Sequence, residues 1–505
     1  MEEPLLLPND EYNRALRRQV APPDWVNPEP ADRYTLVVLG GGTAGLVTAA
    51  GAAALGARVA LVERLLLGGD CLNYGCVPSK ALLAAARAAH ASRQGARADD
   101  GSTARSGNDV TAAMARLRRL RAEIAGHDSV DRFRGLGVDV FLGEGHFTAP
   151  GTIRVAGKSL RFGRAAVCTG ARAALPPIPG LAEAGCLTNE TVFDLTEQPS
   201  RLAVIGGGPI GCELAQAFAR FGSRVTLLEA AGRLLPREDS EAAEVVQRAL
   251  TRDGVEVLTN CRILSASRHE REKSLAIERA GQQWELAADS ILVSAGRLPN
   301  VEGIGLETAG IAFDVRMGVT VDERLRTTNR LVYAAGDVCS AFKFTHAADA
   351  QARLLLANAL FSGRGKHTSL VIPWCTYTDP EVAQVGLTAA TAAQQGIPLT
   401  TFTVPLAEVD RAILDSETEG FARIHLRQGS DRIVGATLVA RHAGESIGVV
   451  TLAMANGLGI GALGRTILPY PTQAEALRKL ADAWNRTRLT PFTGKVLATW
   501  LRWLR

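Results

Sequence analysis

The chain has 505 residues, 47% of them hydrophobic and 21% charged, with a formal net charge of only +4. This composition fits a globular protein with a sizeable core, of about three domains at roughly 100–200 residues each. It gives no ground for a nucleic-acid binder, since no basic stripe with interleaved aromatics occurs, and eight scattered cysteines are too dilute for a secreted disulfide scaffold.

The opening MEEPLLLPND is acidic and breaks at proline, with no basic stretch ahead of an apolar run, so no signal peptide is expected. No run of roughly 18 apolar residues is free of charge, so no ordinary membrane span is expected either, and the expected location is the cytoplasm. Residues 1–31 are proline-rich with little periodicity and read as an extension or arm. From Tyr34 to Arg64, YTLVVLGGGTAGLVTAAGAAALGARVALVER reads as a buried strand, a glycine turn, an alanine-rich helix and a second strand ending in an acid. Residues 93–109 are small and polar, hence a predicted loop; residues 110–136 are predicted helical and basic on one side. From Arg201 to Glu229, RLAVIGGGPIGCELAQAFARFGSRVTLLE repeats the earlier pattern at matching spacing. Such βαβ units predict parallel, doubly wound sheets. After about residue 369 short strands (FARIHLR, RIVGATLVA) precede glycine-rich helices, which predicts a separate α+β domain.

Each copy of the repeat carries G-x-G-x-x-G. In the first, Gly40, Gly42 and Gly45 let the backbone turn tightly and approach a pyrophosphate at the helix N-terminus, and Glu63 ends the next strand where a carboxylate accepts from a ribose diol. In the second, Gly206, Gly208 and Gly211 take the loop positions and Glu229 the acidic one. One such motif is weak evidence; two, each with strand, helix and terminal acid, are strong. Cys71 and Cys76, the one close cysteine pair, follow the first unit directly in GGDCLNYGCVPSK. Zinc ligands would come as two such pairs, so no metal site is expected. A helix N-terminus there would favour the thiolate, and two small buried residues or a structural disulfide are the plainer alternatives.

GGDCLNYGCVPSKALL resembles the redox-active signature of the pyridine nucleotide–disulfide oxidoreductases, which include glutathione reductase, lipoamide dehydrogenase and mercuric reductase. The resemblance runs from about residue 33 to 484. It implies two Rossmann-like domains, one for FAD and one for NAD(P), with a C-terminal dimerisation domain. The FAD domain would span 32–172 and 296–368, the NAD(P) domain 173–295, the dimerisation domain 369–484 and an amphipathic tail 485–505. It further implies that Cys76 lies against the flavin as the charge-transfer thiolate and that Cys71 is the interchange thiol. Lys80 would approach flavin N5 and pair with Glu213 of GCELAQ. AAVCTGARAALPPIPG resembles the crossing segment, bringing Thr169 and Gly170 to FAD; Gly69 belongs to the redox motif. VSAGRLPN, with Gly296, resembles the return segment. LVYAAGDVCS resembles the second FAD motif, in which Asp337, after Gly336, would hold the ribityl chain.

Disulfide reductases of this kind carry H-P-T-x-x-E near the C-terminus, where the histidine shuttles protons and the glutamate orients it. This chain reads Tyr470-Pro-Thr-Gln-Ala-Glu475. Tyrosine, with an unperturbed pKa near 10, is a poor general base at neutral pH, and the change points to mercuric reductase and its relatives. Yet no cysteine follows Cys375, so the C-terminal pair that delivers the metal ion in mercuric reductase is missing. Pro209 stands where many relatives have a tyrosine over the nicotinamide. The expected activity is therefore FAD-dependent NAD(P)H oxidation with electrons passed to a soft metal ion such as Hg(II), a small disulfide or a quinone-like electrophile. A dihydrolipoamide dehydrogenase-type enzyme and a non-catalytic redox-sensing flavoprotein are the alternatives. Glu229, followed by Ala230 rather than an arginine, favours NADH over NADPH, with Arg233 and Arg237 close by in opposition. A homodimer is implied, with Tyr470 and Glu475 reaching Cys71 of the partner subunit. Val496, Leu497, Trp500, Leu501 and Leu504 form one face of a terminal helix. That face either packs on the dimer or on the N-terminal arm, or makes a peripheral membrane contact.

Overall fold

The computed structural model describes residues 6–99 and 110–504. These fall into two compact units: one of residues 1–207, 214–230 and 254–370, the other of residues 208–213, 231–253 and 371–505.

The first unit is built on a seven-stranded sheet. Its strands β1 (Tyr34–Leu39), β2 (Val59–Glu63), β3 (Val138–Leu142), β4 (Gly145–Ala149), β5 (Thr152–Val155) and β6 (Lys158–Val167) run in the order β3-β2-β1-β6-β5-β4, with Val332–Ala334 also paired to β6. The β3-β2-β1-β6 path is parallel, and β4–β6 is an antiparallel meander. Parallel strands are covered on both faces, which is why YTLVVL and VALVE are near-continuous apolar runs. Between β1 and β2, helix α2 (Thr43–Ala54) is nearly all small residues. That lets it lie close against the later helix Thr345–Leu360; a Cβ on Gly51 would come within 2.5 Å of Leu356. The same unit holds a four-stranded parallel sheet of Glu256–Leu258, Arg224–Leu228, Arg201–Ile205 and Ser290–Val293, in that order, with a three-stranded meander from Arg262 to Ala288. The two halves of the duplication therefore seed two separate parallel sheets.

The second unit centres on an antiparallel five-stranded sheet drawn from Pro373–Ala440, backed by helix Ala443–Ala455 and helix Glu475–Thr487. The α/β architecture with a C-terminal α+β portion is as the repeat predicts.

Two local readings need correcting, and a third gains detail. Residues 6–31 are no loose arm: helix α1 (Glu11–Val20), capped by the Asp10 carboxylate, buries Leu16 and Val20 completely in the core of the first unit. The proline-rich flanks hide a short amphipathic repeat. The predicted loop at 93–109 is helical as far as Asp99, the end of a helix that starts at Cys76; the remaining residues, 100–109, lie outside the described chain. The predicted basic helix is present as Val110–Ile124 followed by Val130–Gly135, with Arg118 and Arg121 on it buried. At the far end, helix Pro491–Trp503 has no buried residue, and Phe492, Trp500 and Trp503 are exposed. Among the described residues no helix is long and apolar enough to cross a membrane.

Candidate active site

The first glycine loop is a cradle with no spare room. Gly40 sits at φ +108°, and a Cβ there would fall 2.3 Å from the Cys168 carbonyl oxygen; one on Gly45 would fall 1.8 Å from the Gly40 oxygen. Gly42 is the N-cap of α2, with no side chain bonded across the helix end. The backbone N–H groups of that first turn are thus presented to an anion with the positive end of the helix behind them. Glu63, at the end of β2, accepts from Gly41 N–H at 2.6 Å and from Leu65 N–H at 2.7 Å. Burial pushes its carboxyl above the usual value against the pull of those two donors. The residues fit the pyrophosphate and ribose of a dinucleotide.

The redox segment folds directly onto this loop. Helix α3 (Gly69–Asn73) carries Cys71, and helix α4 (Cys76–Asp99) begins at Cys76. Gly68 donates to the Gly41 oxygen at 2.9 Å, and a Cβ on Gly69 (φ +56°) would lie 2.6 Å from Gly42 Cα. Only glycine allows that approach. The break at Tyr74–Gly75 puts Cys76 at a helix N-terminus, while Cys71 faces it from the preceding turn. Both are free thiols. Cys71 is poised to stabilise a Cys76 thiolate, and the Thr345 hydroxyl stands 3.5 Å from Cys76 Sγ. The hydrogen bond from Cys71 brings the Cys76 thiol down to about 6, with help from Thr345 and from the charge of Lys80 on α4. The same bond, with burial, pushes Cys71 up. One thiolate and one thiol side by side is the division of labour that dithiol exchange requires.

The crossing segments close the site. Ala171–Ala173 pairs antiparallel with Arg297–Pro299. Just before, the Thr169 hydroxyl donates to the Asn300 oxygen at 2.7 Å, and Gly170 takes a left-handed φ of +67°. Gly296 (φ +130°) lies beside Ala174. Gly336 N–H is held by the Gln351 side chain at 2.9 Å, ahead of Asp337. Arg297 then joins the parts: its guanidinium is 3.1 Å from Asp70, next to Cys71, and 3.5 Å from Asp337. Asn189 holds the other Asp70 oxygen at 2.9 Å. Thr345, Asp70, Asn189 and Arg297 were missed in the sequence. Asp70 and Arg297 lie inside the very motifs that were singled out, so their charge was the available signal.

The second glycine loop repeats the first in outline. Gly206 has φ +108°, with the Ser294 oxygen 2.8 Å from a built Cβ, and Gly207 N–H donates to Glu229 at 2.6 Å. Here, however, a Cβ on Gly208 meets nothing within 4 Å. Pro209 opens the following helix, Pro209–Phe221, and Gly211 lies in its first turn. In the second unit Glu213 accepts from Tyr377 N–H at 2.8 Å. Tyr470 is exposed, and its hydroxyl donates to Asp410 at 2.8 Å, which raises the phenol's pKa. Glu475 is buried, 3.4 Å from Arg478, and its second oxygen has no hydrogen-bond partner among the described residues.

Two dinucleotide cradles and a polarised cysteine pair packed on the first of them define a pyridine nucleotide-driven flavoprotein disulfide oxidoreductase. Residues 34–352 match the pyridine nucleotide-disulphide oxidoreductase family and residues 372–481 match its dimerisation domain, and the chain belongs to that family. It is 34% identical over 457 residues to a mercuric reductase of Staphylococcus aureus, covering 90% of this chain and 83% of that one. It is 32% identical over 460 residues to a dihydrolipoyl dehydrogenase of Geobacillus stearothermophilus, covering 88% and 95%. Among solved structures it resembles the HOCl-induced flavoprotein disulfide reductase RclA of Escherichia coli, with a TM-score of 0.79, 30% identity, and coverage of 89% of this chain and 99% of that one. The protein is thus an FAD-dependent NAD(P)H oxidoreductase of the mercuric reductase-like kind, with the family's homodimer-forming domain.

Proposed function

We propose that Cys71 and Cys76 form the redox disulfide, that NADH is the working reductant, and that the terminal acceptor is a soft metal ion such as Hg(II), a small disulfide or a quinone-like electrophile. The observation that carries this reading is the polarised pair: Cys76 at the head of α4, lowered to about 6, against Cys71 held up as a thiol. FAD, when bound, supplies the relay of two electrons from the nicotinamide to the disulfide. Cys76 holds the thiolate on the flavin side, stabilised by Thr345 and Lys80. Cys71 is the thiol that meets the acceptor, and two soft sulfurs also suit a soft metal ion.

The FAD part would be residues 32–172 and 296–368, the NAD(P) part 173–295 and the dimerisation part 369–484, each centred on its own sheet. Lys80 would pair with Glu213 in the assembled enzyme. Tyr470 and Glu475 would serve Cys71 of the partner subunit, with Asp410 accepting the hydrogen bond of the Tyr470 hydroxyl and so orienting it. Asp337 would hold the ribityl chain, with Arg297 balancing its charge. NADH is favoured because Glu229 stands at the ribose position, while the Arg233 guanidinium is committed to the carbonyls of Leu235, Pro236 and Glu238. An anaerobic NADH titration followed by an acceptor screen tests the whole reading. Steady NADH consumption that survives Cys71→Ser with every acceptor overturns the dithiol route.

The working location is the cytoplasm, with a peripheral membrane contact through helix Pro491–Trp503. Its apolar side chains, Trp500 and Trp503 among them, lie on one side, opposite Lys495 and Arg502, and none is buried in the chain. Full-length protein that stays in the supernatant with anionic vesicles at low salt ends this part of the proposal.

A further inference from the structure

The redox turn is braced by α1, which lies outside the segment that matches the family, both directly and through Arg121 within that segment. At the front of the turn, Leu67 N–H donates to the Val20 carbonyl at the end of α1, 3.2 Å away. At the back, the carbonyl of Asn73, midway between the two cysteines, accepts from Arg121 Nη1 at 2.6 Å, and Arg121 Nη2 donates to Asn13 Oδ1 of α1 at 2.6 Å. The Asn73 amide binds the oxygens of Leu67 and Gly69 at 3.1 and 2.9 Å, which makes front and back one piece. Asn13 is itself fixed, with its N–H on Asp10 and its side-chain N–H on the Pro8 carbonyl, each at 2.8 Å. Asn13, Asn73 and Arg121 are all at most 2% exposed.

A buried guanidinium is a costly way to fill space. Its desolvation commonly cancels what its partners return, and an apolar side chain of like volume would serve the core as well. Both hydrogen bonds from Arg121 run in the direction of the redox turn or of the helix that braces it. A positive group aimed at the Asn73 carbonyl also opposes the negative end of α3, within a few residues of the thiolate.

We propose that residues 6–31 are a positioning element of the redox centre. Through Asn13 and Arg121 they fix the Cys71–Tyr74–Cys76 turn and so set how readily Cys76 becomes a thiolate. Arg121 acts through Asn73 and is a positioning residue. The proposal rests on the reading of Cys71 and Cys76 as the redox pair, and loss of the thiolate–flavin band in Cys76→Ser checks that reading separately.

The test uses FAD-loaded full-length Asn13→Ala, Arg121→Lys and Arg121→Met. The pH titration of the thiolate–flavin charge-transfer absorbance in the two-electron-reduced enzyme is followed, with Tm and flavin content alongside. In Asn13→Ala the midpoint should rise by about half a pH unit, and in Arg121→Met by about one, with Arg121→Lys between them. Turnover with acceptor should fall about three- to tenfold while reduction of the flavin by NADH keeps its rate. Should Arg121→Met fail to fold, Asn13→Ala carries the measurement, since it leaves the guanidinium and the Asn73 bond in place. Midpoints equal to that of the unaltered enzyme in Asn13→Ala and Arg121→Lys, whatever happens to Tm, overturn the proposal.

Discussion

The two glycine loops share a sequence pattern and differ in what lies on top of them. In the first, the redox segment is pressed onto the loop so closely that Gly42 and Gly69 meet backbone to backbone, and Glu63 is buried with both oxygens bonded to backbone N–H groups. In the second, Gly208 faces open space and Glu229 is half exposed. A cradle sealed by the chain's own redox turn suits a cofactor that stays; an open one suits a cofactor that arrives and leaves in each cycle. The two copies of the motif thus differ in their surroundings, not in their glycines.

Substitutions in matched positions should bring this difference out, beginning with Gly45→Ala. The added methyl would strike the Gly40 oxygen, and the shift it forces should cost roughly 3 kcal/mol. The protein should purify with little or no flavin, as read by absorbance per chain; full flavin content would show that the cradle is less closed than described. Glu63→Ala should come next. It leaves two N–H groups without their acceptor at about 1–3 kcal/mol each, so Tm and flavin retention should both fall. The matched change Glu229→Ala removes one such bond, from Gly207 N–H to a half-exposed carboxylate, so flavin content should stay and Tm should fall less than in Glu63→Ala. It should lower kcat/KM for NADH about tenfold relative to NADPH, through loss of a charged hydrogen bond, and an unchanged ratio would remove Glu229 from cofactor choice. The thiolate–flavin band, formed on the closed side, should persist above about pH 6 and fade as pH drops through that value. A folded-state thiol pKa set below its ordinary value makes the charged form the one lost on acidification, so a band that fades on alkalinisation would contradict the assignment of Cys76. Smallest of all, Gly208→Ala should change Tm by less than the equivalent of about 0.5 kcal/mol, as for a surface site.

Much of this was legible because it is local. A glycine spacing, an acid at a strand end and two cysteines five apart lie within about thirty residues of chain, so both loops and the redox pair stand out in sequence. The contacts that complete the site are not local. Thr345 reaches Cys76 across 269 residues, and Arg121 reaches Asn13 across 108. The basic side of residues 110–136 shows in the sequence, but not that Arg118 and Arg121 on it are buried, since α1 and the redox turn that cover them lie far away in the chain. Helix α1 was overlooked because prolines on either side mask the Asn13, Leu16, Val20 spacing. The burial of the two arginines and the packing of α1 are therefore intelligible only together.

The paired strands Ala171–Ala173 and Arg297–Pro299 have a topological corollary. Where the chain leaves the first half and where it returns, Ala174 N–H and the Gly296 oxygen are 3.0 Å apart. The two ends of the intervening chain are thus joined by a backbone hydrogen bond, a geometry under which a segment can be inserted with little change to the strands outside it. An insertion at that point would leave the seven-stranded sheet whole, since the strand Val332–Ala334 beyond the return still pairs with β6.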